Sequence, residues 1–458
     1  MEPLLIDLTK TQRDLFEYQP DHHHKDSNNF QITHAKLLHP AIDFKPEGMV
    51  IGFSILVEGE DGAEERNIHI VCDDQGFRME ATNHVLFLGK QKYLLKDTIS
   101  PPLVNDRWVL EKMVSNLSSP AYPSDIFETI KLTIQRYADL QDDGHYGLIA
   151  VWAISSYFTH LFPAFPFLLF FGPKESGKSK VLEIINLMAF NPVKVKTISE
   201  AALCDTTDGL RGTVLIDQAE ALPFNMVGLL ADSYKKAGAK RRIIGHRDGK
   251  RVIREYSGYG PKAFATTKAL DPDLKDRCCQ ILMQRSVKPL PDIFGYEPEW
   301  AAIRDMCYRF LLLKWHDVQS AYMQIPFTGN RKGELWRPLE SILRVLKVPQ
   351  REFEYIKRAF EQGTEKTKDR LSDVEEALFD VLLDQARHNQ KFEMTTHDLV
   401  DKLKMQLDRR ECPTPQGLGN LIAIYNLADD KKKRTRQKLV HYLFSADRVK
   451  DLASRYLD

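Results

Sequence analysis

The feature that most constrains this chain is a short apolar strand that runs into a glycine loop and then a helix. Residues 167–171 (FLLFF) precede Gly172, Pro173, Lys174, Glu175, Ser176, Gly177, Lys178 and Ser179, which spell G-x-x-x-x-G-K-S. A helical apolar period follows at Val181, Leu182, Ile184, Ile185 and Leu187. Glycines allow successive backbone N–H groups to turn inward around a phosphate, and the helix N-terminus adds a favourable dipole. In this arrangement Lys178 reaches the β- and γ-phosphates and the Ser179 hydroxyl ligates Mg²⁺. The flanking strand and helix are the context that the motif requires, so ATP with Mg²⁺ is the expected cofactor pair.

A second strand, residues 213–216 (TVLI), ends at Asp217 about 40 residues later. An apolar strand ending in Asp suits a carboxylate that holds the Mg²⁺ shell, although an ordinary strand end has the same look. Gln218 follows, and a neutral amide is a poor general base. Glu220, two residues on, is the alternative base if its side chain swings in. Nucleotide binding therefore follows more directly from the sequence than hydrolysis.

Composition sets the frame. The 458 residues carry 64 Lys+Arg and 64 Asp+Glu, with 43% hydrophobic and 28% charged residues. That is ordinary globular composition over two to four domains, and it excludes a collagen, a disordered chain and a global polycation. Six scattered cysteines, with no C-x-x-C spacing, argue against a zinc ribbon and a disulfide scaffold. They imply reduced thiols and a cytoplasmic location. The opening Met1, Glu2, Pro3 and the early Asp7 lack the form of a signal peptide. Residues 146–171 are nearly uncharged, but Pro163 and Pro166 break them into a helix and a strand, so no membrane span is expected.

Four regions are expected. Residues 1–115 read as a β-rich domain, with β-branched runs at 49–57 and 67–72 around an acidic turn at 58–65. Its loose preface carries His22, His23 and His24, read as a solvated linker. Residues 116–165 read as a helical preface, with Ser124 and Asp125 capping one helix and a second helix over 147–162. Residues 166–362 alternate short strands and helices, the pattern of a parallel α/β sheet. A polar linker at 363–370 leads to residues 371–458. There the order helix, strand, helix, helix, hairpin, helix reads as a winged helix, with Thr396 capping its second helix. Its basic wing tip holds Lys432, Lys433 and Arg434 as candidate DNA contacts, and a protein-docking role stays open for this domain. The fold class is thus a multidomain α/β protein.

Between Asp217 and residue 260 lies a locally basic stretch, with few acids among Lys235, Lys240, Arg242, Arg247, Lys250 and Arg251. Asp248 and Gly249 signal a hairpin turn between strands near 242–245 and 251–255. Arg247, Lys250 and Arg251 are candidate contacts to a nucleic-acid backbone, against the alternative of a solvated charged hairpin.

With these motifs in order, the chain resembles AAA+ ATPases of the superfamily-3 and MCM helicase type. More closely it looks like the helicase-like ATPases of phages, plasmids and integrated mobile elements. The resemblance rests on residues 197–203 (TISEAAL), 212–220 (GTVLIDQAE), 260–267 (GPKAFATT), 274–277 (LKDR) and 336–339 (WRPL). It spans about residues 120–350 and does not visibly include residues 1–115. It implies that Thr267, or Thr266, orients the attacking water or senses the γ-phosphate. It implies that Arg277 reaches the nucleotide of an adjacent subunit and that Arg337 contacts the same phosphates. A local ion pair with Asp276 is the alternative for Arg277, and a helix-face arginine for Arg337. The implied assembly is a homo-oligomeric, hexameric ring on single-stranded DNA with DNA-replication partners such as a primase. The rival reading is a nucleotide-gated DNA-binding switch or loader, which Gln218 favours. A defence or signalling ATPase is a third.

Overall fold

A computed structural model describes residues 36–364 and 373–456, apart from 60–61, 83, 119–120, 141, 239, 248–249, 269, 287, 408–411, 425–426 and 434–439. The histidine triplet at 22–24 and Arg434 lie outside the described residues. The chain divides into two compact units, Met1–Thr364 and Glu365–Asp458.

The larger unit opens with two small sheets. Strands β1 (Lys36–Leu38), β2 (Ile42–Lys45), β3 (Gly48–Gly59), β4 (Gly62–Asp73), β5 (Gly76–Ala81), β6 (Val85–Leu88) and β7 (Gln91–Leu95) follow in order. β2-β3-β4-β5 form an antiparallel sheet, and β1-β7-β6 a three-stranded one. Strand alternation sorts the side chains by face. Met49, Ile51, Phe53, Ile55, Ile68 and Ile70 turn into the main core, whereas Val50 and Val71 join Leu38, Leu86, Leu88 and Tyr93 in a separate small core. The expected acidic turn is shorter than residues 58–65. β3 and β4 stay paired out to Gly59 and Gly62, so Glu64 and Glu65 are exposed strand residues.

Helices α1 (Val104–Arg107), α2 (Leu110–Ser118), α3 (Ile126–Tyr137) and α4 (Asp143–Ser156) come next. Trp108 stacks on Tyr308 at 4.6 Å between ring centroids, and its Nε1 donates to Asp305 at 2.8 Å. Asp125 precedes α3 without a side-chain capping bond. α4 begins where Asp142 accepts from the Gly144 N–H and stops at Ser156, short of the expected 162. Its apolar residues are buried around nearly the whole helix, which explains why they show no amphipathic period. Among the described residues no helix is long and apolar enough to cross a membrane.

The central layer is a five-stranded sheet. Its elements are β8 (Phe167–Phe171), α5 (Lys178–Met188), β9 (Val193–Val195), α6 (Glu200–Leu210), β10 (Val214–Asp217), α7 (Phe224–Asp232), β11 (Lys240–Arg247), β12 (Lys250–Ser257), β13 (Lys262–Thr266), α8 (Pro272–Lys275) and β14 (Cys278–Leu282). The order is β14-β8-β13-β10-β9, with every pairing parallel. Strands buried on both faces must be apolar throughout, hence the unbroken FLLFF run of β8. Helices α9 (Pro298–Gln324), α10 (Arg331–Val345) and α11 (Gln350–Thr364) complete the unit. α11 continues to Thr364, so the start of the expected linker is helical.

β11 and β12 form an antiparallel hairpin, paired from Lys240–Ser257 to Arg247–Lys250, inserted between β10 and β13. The link from β12 to β13 is held by a buried lysine. Lys262 Nζ donates to the carbonyls of Gly258 (2.7 Å) and Gly260 (3.2 Å). Burial lowers its pKa to about 7. The unfolded chain, with a lysine near 10.4, therefore holds a proton that the folded chain lacks above pH 7, and stability rises with pH. The urea midpoint of the larger unit is expected to rise from pH 7 to 8.5, equivalent to about 1 kcal/mol per pH unit. Tryptophan fluorescence reports it, since Trp108, Trp152, Trp300, Trp315 and Trp336 all lie in that unit. Lys262→Met should reduce the slope to the part that Lys236 contributes, since burial lowers that lysine's pKa to about 8; an unchanged slope would place the titrating group elsewhere.

The smaller unit has the expected element order. It runs α12 (Asp373–His388), β15 (Lys391–Thr395), α13 (Thr396–Leu403), α14 (Pro415–Ile424), β16 (Asp430–Lys433), β17 (Val440–Ser445) and α15 (Ala446–Tyr456). The sheet is antiparallel, β15-β17-β16, and packs on a core that includes Leu378, Leu399, Leu418, Phe444 and Val449. The cap of α13 is Thr395 rather than Thr396. The Thr395 hydroxyl accepts from the Asp398 N–H, and the Asp398 carboxylate accepts in return from the Thr395 N–H.

Candidate nucleotide-binding cleft

The carboxyl ends of parallel strands are where α/β sheets place ligands. Here β8, β13 and β10 lie side by side, with Phe171 opposite Thr266 and Ala265 opposite Asp217. The loop after β8, the acid ending β10 and the threonines ending β13 therefore converge. They line one cleft of about 420 Å³, formed by Lys174, Glu175, Lys178, Ser179, Asp217, Gln218, Glu220, Ala265, Thr266 and Thr267.

The loop geometry explains its two glycines. Gly172 has φ 154° and Gly177 φ 84°, and a Cβ on Gly172 would lie 2.1 Å from the Met283 carbonyl oxygen. Only glycine tolerates both conditions. Gly177 caps α5, so that helix's first N–H groups open toward the loop. Lys178 is buried and donates to the Gly172 and Pro173 carbonyls (2.9 and 2.5 Å) and to Ser176 Oγ (3.1 Å). Burial lowers its pKa, and Glu220 and Asp217 partly restore it.

On the opposite wall, Gln218 is a non-glycine residue in the left-handed region, with φ 64° and ψ 48°. Such a residue carries about 1–2 kcal/mol of strain. The turn it makes feeds the short 3₁₀ helix Ala219–Ala221, which carries Glu220. Glu220 Oε1 accepts from Thr267 Oγ1 at 2.7 Å, and Oε2 from the Thr267 N–H at 3.3 Å. Burial pushes the Glu220 carboxyl upward, but these bonds outweigh it and hold the group below the usual range, so it is ionised at neutral pH. Thr266 Oγ1 donates to the Lys268 carbonyl at 2.8 Å and lies near enough to Glu220 to help lower its pKa, whereas Thr267 meets Glu220 through both its hydroxyl and its N–H.

Ser179 and Asp217 offer a hydroxyl and a carboxylate, a hard-oxygen pair that fits Mg²⁺ with phosphate and water completing the shell. Among the described residues no group of three His, Cys, Asp or Glu is placed to hold a metal alone. Behind the loop lies a smaller hollow of about 120 Å³ with mostly apolar walls, among them Ala138, Val181, Met283 and Leu290.

The two arginines that the resemblance assigns to an adjacent subunit's nucleotide are engaged with groups of their own chain. Arg277, after α8, donates to the Asp273 carbonyl, lies 3.5 Å from the Asp273 carboxylate and 3.9 Å from that of Asp276, and covers the Tyr234 ring at 5.7 Å. Arg337, on α10, donates to the Tyr322 carbonyl at 2.9 Å and stacks on the Tyr322 ring at 4.2 Å. Neither lines the cleft. One residue that no motif marked does reach the loop: Arg285, just beyond β14, pairs with Glu175. Its only sequence-level signal is the position of β14 beside β8, which the chain order conceals.

Of the basic candidates, Arg247 and Lys250 face each other at the last paired position of the β11–β12 hairpin, and Arg251 pairs with His246 one step back. Lys432 and Lys433 lie on β16, opposite His441 and Val440.

No known family pattern matches the sequence, and no curated protein matches it. Among solved structures, the apo A form of the NrS-1 C-terminal region aligns at 11% identity with a TM-score of 0.39, covering 82% of this chain and 94% of that one. A full-length MCM homolog from Methanopyrus kandleri aligns at 11% identity and 0.34, covering 69% and 77%. JCV helicase bound to a small aryl acetamide aligns at 13% identity and 0.25, covering 55% and 70%. These superpositions are loose, and the chemistry of the cleft stands on its own geometry.

Proposed function

We propose that this chain is an AAA+-type ATPase that binds ATP·Mg²⁺ in the cleft, hydrolyses it, and uses the cycle to move or remodel single-stranded DNA within a homo-oligomeric ring. The observation that carries the reading is the junction of the phosphate loop with an ionised, hydrogen-bonded Glu220 in a single cleft. The N–H groups of the loop and Lys178 would hold the β- and γ-phosphates, and the apolar hollow behind the loop would take the base. When bound between Ser179 and Asp217, Mg²⁺ would neutralise charge on the phosphates. Glu220, fixed by Thr267, would accept the proton of the attacking water. Gln218 would then serve as the strained corner that delivers Glu220 and not as the base.

The hairpin gives the cycle an output. It is inserted between the strand that ends in Asp217 and the strand that ends at Thr266, so a shift of β13 against β10 would tilt it. Arg247, Lys250 and Arg251 would grip phosphates at its far end. The smaller unit would act as a winged helix, with Lys432, Lys433 and Arg434 on the duplex backbone. Arg277 would serve a neighbouring subunit only after leaving Tyr234 and Asp273, which makes its stimulation conditional on assembly. Gln218 favours the alternative, a nucleotide-gated DNA-binding switch.

The double variant Lys250→Ala, Arg251→Ala tests the hairpin. Single-stranded DNA affinity is expected to fall about tenfold at low salt. The slope of log K against log salt should flatten by about 1.4, from two phosphate contacts at about 0.7 each. ATP affinity should not change. A salt slope equal to that of the parent protein would remove the hairpin from the DNA path.

A further inference from the structure

A helix ends in carbonyls that no turn of its own can satisfy. At the end of α5, the helix that opens with Lys178 and Ser179, four successive carbonyls are taken by groups from elsewhere in the chain. Leu187 accepts from Arg304 Nη1 at 2.9 Å, Met188 from the Tyr157 hydroxyl at 2.9 Å, Ala189 from Arg107 Nη2, and Phe190 from the Thr213 N–H at 3.0 Å. Water or a glycine turn commonly serves a helix end. Here the side-chain donors come from α9, from the residue after α4 and from α1.

The two guanidiniums stand out. Arg107 is buried and Arg304 half-buried, and Arg304 Nε also donates to the Arg107 carbonyl at 2.9 Å. Burial and the neighbouring Arg107 charge lower the Arg304 pKa, so the pair stands together against its own repulsion. Asp305, next to Arg304 in the chain, is used otherwise: it accepts from Trp108 Nε1 at 2.8 Å and pairs with Arg309 at 3.1 Å. The two charges meet instead the negative end of the α5 dipole, where cations are stabilised. Arg107 is in turn tied to the first sheet. It ends α1, and just before that helix the Pro102 carbonyl accepts from the Ser54 N–H of β3 at 3.0 Å and the Pro101 carbonyl from Ser54 Oγ at 2.8 Å.

Held in this way, α5 cannot slide along its axis without breaking bonds to three other elements. Its 11 residues span about 16 Å. Each turn is bonded to the next, so a slide at one end arrives at the other. That other end carries Lys178 and Ser179 into the cleft.

We infer that Arg107 and Arg304 are positioning residues for the phosphate loop, which fix the axial setting of α5 from its far end and tie that setting to the N-terminal sheet. The inference rests on the reading of the cleft as an ATP site and adds to it the residues that set its geometry.

Hydrogen exchange on the unliganded full chain, followed by mass spectrometry, reads the hold on α5, and ATP turnover reads its alignment. The informative segment is residues 180–184, where the Val181 N–H bonds the Gly177 carbonyl. Arg304→Lys keeps the charge but cannot reach both the Arg107 and the Leu187 carbonyl. It is expected to speed exchange in that segment at least threefold and to lower turnover about tenfold with ATP affinity within about threefold, since a misplacement of the order of 1 Å can cost about a hundredfold in rate. Arg107→Met should behave like Arg304→Lys, whereas Arg107→Lys keeps a donor for Ala189 and should restore exchange and turnover to within about twofold of the parent, as a positively charged donor at a helix C-terminus does. An end cap with no positioning role would loosen the last turn of α5 alone. Exchange in Arg304→Lys that rises only at residues 185–190, or nowhere, overturns the inference. Because exchange is read without nucleotide, a parent protein that binds no ATP would refute the ATPase reading and still leave the hold on α5 decided by exchange.

Discussion

Glu220→Gln is expected to lower ATP turnover by about 10²–10³-fold while leaving ATP affinity within about threefold, because it removes the proposed general base and keeps the side chain's size. The carboxylate is ionised at neutral pH and already oriented by two bonds to Thr267. Gln218→Ala should cost far less turnover, since that side chain is exposed at a corner rather than aimed by a partner. Thr267→Val should fall between the two, as it frees Glu220 to wander. Steady-state phosphate release and equilibrium binding of a fluorescent ATP analogue separate chemistry from affinity. If Gln218→Ala were the more damaging change, the assignment of the base would be wrong.

The second large effect concerns affinity. Lys178→Ala removes the one ammonium buried in the loop, and the loss of such a charge-assisted contact is worth about 3 kcal/mol, or roughly a hundredfold in ATP affinity. The unliganded protein should melt at or above the parent temperature. Its Lys178 charge is desolvated, and the carbonyls it satisfies lie at a loop that water can reach. Calorimetric titration with ATP and Mg²⁺ reads the first effect and thermal melting the second. An ATP affinity equal to that of the parent would sink the assignment of the loop.

Much of this architecture is written in local sequence. The strand, glycine loop and helix from Phe167 to Met188 can be read because every residue serves the same local geometry. The β11–β12 hairpin is legible for the same reason, since the Asp-Gly signal in the sequence stands between two runs whose ends, Arg247 and Lys250, are paired. What could not be read depends on strand order. Glu220 and Thr267 are 47 residues apart and meet only because β10 and β13 are neighbours. Arg277 and Arg337 follow in the order that the resemblance implies, but their partners within the chain, the Asp273 carbonyl and the Tyr322 ring, are set by packing that the order does not encode.

The most direct test of the central claim is steady-state ATP hydrolysis by the purified full chain, with and without single-stranded DNA, over a range of protein concentrations. The account predicts measurable turnover that DNA stimulates and that rises faster than linearly with concentration as subunits assemble. ATP that binds with the expected Mg²⁺ dependence but is not hydrolysed at any concentration, with or without DNA, would contradict it and leave a nucleotide-gated switch.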